Sequence, residues 1–194
     1  KNKVAVIVGG AGKIGLPISE ALAEAGAIVY IVSSNEKSYM SAVESLSKKG
    51  HSVRGIKLDM SDESSVKDVL SLIKKQTKTP DILVNSACIR PMKKFMDDFF
   101  DNWDLSMTTN ARGSFISNKL FGNAMAEQGS GSIINISSIY GVVAPDMTIY
   151  EGSDFETEPD YPFIKGGTIG IQSILILFFF APLVPHMFKL NKST

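Results

Sequence analysis

The chain has little sulfur or imidazole chemistry to offer. Its single cysteine, Cys88, excludes an internal disulfide framework and a cysteine-rich zinc site. The two histidines, His51 and His186, stand far apart, which argues against a histidine metal centre. Neither sign of charge is in excess, since 20 Lys and Arg balance 20 Asp and Glu over 194 residues. Without a basic surplus there is no electrostatic footprint for a phosphate backbone, so no nucleic-acid partner is expected. Internal repeats and low-complexity linkers are missing as well. Near the N-terminus only residues 4–8 form an apolar run before glycine, too short for a signal-peptide core. Together with the lone cysteine, this predicts a protein of a reducing, cytoplasmic compartment.

What is present suits a packed core: 44% of residues are hydrophobic and 21% charged, which excludes a disordered chain. Strand-like runs at 4–8, 28–32, 53–58, 82–84 and 132–136 are mostly branched or aliphatic on both faces, as strands covered by helices on both sides should be. Helix-like stretches alternate with them at 16–25, 37–49, 63–76 and 108–128. Ser61-Asp62-Glu63 is a capped start for the third, and Gly26 and Gly50 stop the first two. The alternation predicts an α/β fold, a Rossmann-like doubly wound parallel sheet with helices on both faces.

Between the first strand and the first helix stands Gly9-Gly10-Ala11-Gly12-Lys13-Ile14-Gly15, in which Gly10, Gly12 and Gly15 fit G-x-G-x-x-G. Glycines there permit a tight turn and let backbone N–H groups approach a pyrophosphate, at the positive end of a helix. Packing alone also produces glycine-rich turns, but the strand–turn–helix context favours a dinucleotide. The acid that usually grips the adenosine ribose is missing where the second strand closes with Ser33-Ser34-Asn35. These residues and Lys13 would tolerate a 2′-phosphate, so the expectation leans to NADP over NAD. Ser34 and Asn35 suit plain helix capping equally well. Asp59, with Met60 after it, closes the third strand, placed either to contact an adenine or merely to start a turn.

Tyr161 and Lys165 lie four apart, on one face of a helix beginning near Asp160, with Pro162 harmless in its first turn. An ammonium beside a phenol favours the phenolate and makes a general acid–base for a carbonyl oxygen. Ser137-Ser138 closes the fifth strand, where a hydroxyl can hold the same oxygen. With Asn85-Ser86-Ala87-Cys88 after the fourth strand and Asn110 beyond it, the order of motifs resembles the short-chain dehydrogenase/reductase family over about residues 3 to 170. The resemblance implies that Ser138 orients the substrate oxygen, Tyr161 transfers the proton, and Lys165 holds the nicotinamide ribose and tunes Tyr161. It implies a water relay at Asn110, a cofactor neighbour in Asn85, a small-molecule substrate, and a homodimer or homotetramer. Gly166-x-x-x-Gly170 is a face on which two helices can pack closely. Val8, Lys13 and Cys88 depart from the family's commonest motifs, and Cys88 is expected to be a small buried filler.

Ser138 and Tyr161 are 23 positions apart, wider than in the family's ordinary branch. The intervening text resembles the extended branch of nucleotide-sugar epimerases and dehydratases, and dehydrogenases of bacterial surface-sugar pathways. Asp146, Glu151, Asp154, Glu156, Glu158 and Asp160 crowd this loop without a base, either as a solvated face or as a lid for sugar hydroxyls. Asp97, Asp98, Asp101 and Asp104 interleave with Phe95, Phe99, Phe100 and Trp103, a pattern of an exposed amphipathic face in preference to a metal cluster. No metal is expected. The chemistry predicted is NAD(P)-dependent hydride transfer on a carbonyl or hydroxyl of a sugar-like substrate. A catalytically impaired cofactor-binding remnant and an epimerase or dehydratase stay open as alternatives.

The tail breaks this pattern. Residues 166–188 carry no Asp, Glu, Lys or Arg, and the strand and proline-glycine loop that the resemblance implies after the Tyr–Lys helix are absent. A continuing buried helix, a membrane anchor and a departure from the family's reading frame compete. Gln172, Ser173, Pro182 and Pro185 interrupt a span that would begin one residue after Lys165, so a membrane partner is not expected. The division predicted is 1–170 as the dinucleotide-binding oxidoreductase domain and 171–194 as an atypical tail, from a frame change or truncation.

Overall fold

The computed structural model describes residues 2–93, 99–153 and 158–180, with Met147 and residues 173–180 described by backbone alone. Five strands, β1 (Val4–Val8), β2 (Ile28–Ser33), β3 (Val53–Lys57), β4 (Ile82–Asn85) and β5 (Ser132–Asn135), form one parallel sheet in the order β3-β2-β1-β4-β5. The helices α1 (Gly15–Glu24), α2 (Glu36–Lys48), α3 (Glu63–Gln76), α4 (Phe100–Ser106), α5 (Gly113–Glu127) and α6 (Asp160–Phe180) connect and flank it.

Alternation along β1 shows why both faces are covered. Val4, Val6 and Val8 join Tyr30, Leu83, Val66, Ile73 and Phe121 in one core. Ala5 and Ile7 turn the other way, onto Ala23, Val29, Ile31, Tyr39 and Leu46. A strand with period two can be apolar throughout only when both faces are buried. Side-chain caps start two of the helices: Asn35 Oδ1 accepts from Ser38 N at 3.1 Å, and Asp62 Oδ1 from Ser64 N at 2.9 Å.

One expectation changes. The helix expected over 108–128 begins at Phe100 and passes through a π-helical turn at Met107–Arg112 before α5. That turn sets Gly113 against Met60, whose carbonyl oxygen a Cβ would approach to 2.8 Å. The Tyr–Lys helix runs on to Phe180. Among the described residues no helix is long and apolar enough to cross a membrane. A Cβ on Gly166 would meet the Gly141 carbonyl oxygen of the same chain at 3.3 Å, whereas Gly167 and Gly170 face open space. Residues 181–194, Asp97, Asp98, Asp154 and Glu156 lie outside the described residues.

Candidate functional site: a cavity at the carboxyl edge of the sheet

Register brings the strand ends together, with Val8 opposite both Val32 and Asn85, and Asn85 opposite Asn135. The strand order reverses between β1 and β4, so a crevice opens there, as in other doubly wound sheets. It holds a cavity of about 520 Å³.

The glycine loop forms one wall. Gly9 takes φ +75°, and a Cβ on it would stand 2.7 Å from the Ala87 backbone. A Cβ on Gly15 would come within 2.1 Å of the Gly9 carbonyl oxygen. Gly9, Gly12, Lys13, Ile14 and Gly15 line the cavity. Gly10 does not; its carbonyl accepts from the buried Ser19 hydroxyl at 3.1 Å, so packing explains this glycine. No side chain caps α1. In its first turn Leu16 N–H donates to the Gly12 carbonyl at 2.9 Å and Pro17 has no N–H, while Gly15 lines the cavity at the positive end of the helix, where an anionic pyrophosphate fits.

Ser33 and Ser34 line the far end, with Asp59 and Met60 opposite. Asn35 is engaged in capping α2 and does not line the cavity. Asp59 accepts from the Ser61 hydroxyl at 2.6 Å and amide at 3.0 Å, and it is the only acid in the cavity wall among the described residues.

Tyr161 and Lys165, from the first turns of α6, complete the wall with Ser86 and Ala87. The Lys165 ammonium lies 5.6 Å from the Tyr161 ring centroid and donates to the Ile136 carbonyl at 2.8 Å. Ser137 Oγ donates to the Lys165 carbonyl at 2.7 Å, and a Cβ on Gly141 would touch the same carbonyl group. This close approach pins the turn after β5 against α6. Ser138 begins that turn, its hydroxyl oxygen accepting from Tyr140 N at 3.2 Å with its proton still to donate, but it does not line the cavity.

Asn110 is buried below the wall, in the π-helical turn. Its amide clasps the backbone of Ile89, donating to the carbonyl at 2.9 Å and accepting the N–H at 2.8 Å. It also donates to Ser106 Oγ at 3.1 Å, and Ser106 in turn donates to the fully buried Asp160 carboxylate. The side chain of Asn85 likewise turns away from the cavity, donating to Asn118 at 2.9 Å and Asn135 at 2.8 Å; Asn135 continues to Gln172 on α6 at 2.6 Å. Cys88 lines the cavity. Burial pushes its thiol up despite the opposing pull of Lys165 and Arg90, which suits a filler and not a nucleophile.

Ser137, named with Ser138 from the sequence, lines the cavity, as do Ser38, Thr109 and Arg90, which were not singled out. Arg90 had a signal available: it stands just past a strand end, where the chain must pass the crevice.

The model of the short chain dehydrogenase family matches residues 3–155. An uncharacterized oxidoreductase of Thermotoga maritima is 30% identical over 178 residues, covering 90% of this chain and 64% of that protein. A cyclopentanol dehydrogenase of a Comamonas species is 33% identical over 153 residues, covering 78% of this chain and 61% of its own. The chain thus spans under two thirds of these relatives. Among solved structures, an NAD+-bound xylitol dehydrogenase superposes with a TM-score of 0.82 at 26% identity, over 93% of this chain and 65% of that one.

Proposed function

The chain belongs to the short chain dehydrogenase family, and on that premise we propose that it works as an NAD(P)-dependent oxidoreductase on a small hydroxyl-rich, sugar-like substrate. One observation carries the proposal: Tyr161 and Lys165 open onto the same cavity as the glycine loop. Bound there, a nicotinamide dinucleotide supplies a carrier for hydride. The chain's own groups do the rest. The uncapped start of α1 and the Gly12–Gly15 backbone bind a pyrophosphate. Lys165, fixed by the Ile136 carbonyl, holds a ribose and stands beside the Tyr161 ring. Tyr161 moves a proton on or off the substrate oxygen, which Ser138 orients.

Ser33 and Ser34 at the far end, with no acid at the close of β2, support NADP over NAD. The alcohol and polyol substrates in the names of the cyclopentanol and xylitol dehydrogenases support a hydroxyl-bearing substrate. We place the protein in the cytoplasm, where a lone unpaired thiol stays reduced, as a homodimer or homotetramer.

The test follows reduced-nicotinamide absorbance with a panel of keto-sugars and cyclic ketones. Tyr161→Phe should abolish turnover and leave cofactor affinity nearly intact, because the ring keeps its shape and loses only the proton. Normal turnover in Tyr161→Phe would show that the proton comes from elsewhere.

A further inference from the structure

Arg90 reaches the cavity beside Tyr161 in an unusual state. Its guanidinium carbon lies 4.3 Å from the Tyr161 ring centroid. The guanidinium stands over the ring in a cation–π contact, which leaves its N–H groups without a hydrogen-bond acceptor among the described residues. The carboxylate nearest it among the described residues, that of Glu158, stands 4.0 Å from Nη1, too far for a hydrogen bond. No hydrogen bond to Arg90 occurs among the described residues, and the side chain keeps 49% of its surface open. Every other charge near Tyr161 is engaged: Lys165 with the Ile136 carbonyl, Asp160 with Ser106. A planar fork of donors is therefore held ready next to the proton-transfer group.

We propose that Arg90 recognises a carboxylate on the substrate, so that the group handled at Tyr161 is the hydroxyl of a hydroxy acid of the sugar-acid class. This rests on the reading of Tyr161 as the proton-transfer residue. A guanidinium suits a carboxylate because two parallel N–H groups match two coplanar oxygens. Glu158 approaches Nη1, which leaves the Nε and Nη2 edge for the second carboxylate. Its place over the phenol ring puts the guanidinium within a short carbon link of the reacting oxygen. In oxidation, the C–H electron pair would leave as hydride to the oxidised nicotinamide held in the cavity, and the hydroxyl proton would pass to the phenolate form of Tyr161. The carbinol becomes a carbonyl, and the carboxylate stays on Arg90 unchanged.

Matched ligands isolate the claim. Titration calorimetry of glycerate against glycerol, and of threonate against threitol, is done with and without oxidised cofactor. The unmodified chain should bind each acid at least about tenfold more tightly than its neutral partner, the scale of a charge-assisted hydrogen bond. Arg90→Gln should erase that difference, and Arg90→Lys should restore only part of it, lacking the fork. Equal affinities in the unmodified chain, or an acid preference that survives Arg90→Gln, overturn the proposal. Tighter binding of glycerol 3-phosphate than of glycerate overturns the carboxylate assignment. Cofactor affinity, measured alongside, separates the two readings: its absence defeats the oxidoreductase assignment, while the ligand pairs still judge Arg90.

Discussion

The Ser106 hydroxyl donates to the Asp160 carboxylate across 54 positions of sequence, both residues being fully buried. Ser106 closes α4 and Asp160 opens α6, so this bond joins the helix bearing Tyr161 to the turn bearing Asn110. A buried carboxylate is tolerable only with partners, and Asp160 Oδ1 has none among the described residues. Ser106 therefore carries the pairing of this acid.

Ser106→Ala should then cost about 1–3 kcal/mol, the usual penalty for leaving a buried polar group without its partner. Urea unfolding measures it. An unchanged midpoint would show that water or another group already serves Asp160.

Asp81 gives the fold an acid-sensitive joint. Burial raises its carboxyl, but the Val4 N–H, Lys3 and Lys78 outweigh that and bring it from 3.8 to about 2. The folded state thus binds the proton less readily than the unfolded one. Its contribution is whole above about pH 4 and is lost as pH falls through about 2. Both lysines are about half exposed, so we expect about 1–2 kcal/mol after screening. Asp81→Asn should lose this at neutral pH and flatten the acid arm of the stability profile, read by urea unfolding at several pH values. A parallel profile for both proteins would refute the assignment.

Cys88 lines the cavity and is the chain's single thiol, which makes it a reporter of occupancy. Because burial raises it, iodoacetamide should modify it more slowly than free cysteine near neutral pH, and faster as pH rises. Bound NADPH should protect it. Mass spectrometry showing rapid labelling, indifferent to the dinucleotide, would contradict the placement.

The loop glycines should separate by function. A Gly15→Ala methyl would meet main chain at 2.1 Å, which cannot yield, so that variant should fold poorly. Gly12→Ala meets the Gly9 oxygen at 3.2 Å and should fold, with dinucleotide affinity reduced by the narrowed wall. Circular dichroism and cofactor fluorescence distinguish the two. Full affinity in Gly12→Ala would mean that the pyrophosphate lies elsewhere.

Ser33→Asp should reverse the cofactor preference, since a carboxylate at the end of β2 accepts from ribose hydroxyls and repels a 2′-phosphate. The ratio of NADPH to NADH affinity reads this directly. A ratio unmoved by the substitution would place the adenosine away from β2.

Strands were legible because the central ones are almost wholly apolar and β3 and β5 keep a branched aliphatic core between polar ends or turns; all five appear within two residues of their expected limits. Caps at Asn35 and Asp62 follow from local side-chain chemistry and were equally visible. The start of α4 was not. Phe100 to Ser106 mixes acids with aromatics, and the π-helical turn follows from Asn110 gripping Ile89, a contact 21 positions away. Side-chain direction was the other blind spot. Asn85 was correctly placed at a strand end, yet its amide turns into the Asn118–Asn135–Gln172 ladder, which no local pattern encodes. Arg90 was passed over because one arginine in a loop carries no period.

The pinning of Gly141 on Lys165 at one end, and of Asp160 on Ser106 at the other, has an engineering consequence. Chain leaves and re-enters the proton-transfer region at two anchored points, so changes of length between them should leave the anchors in place. Loop-closure entropy grows only logarithmically with length, about 0.6 kcal/mol for each doubling. Specificity elements of other sizes can therefore be grafted between the anchors while Tyr161 and Lys165 keep their positions, and the width of the interval from Ser138 to Tyr161 becomes a free variable for selection.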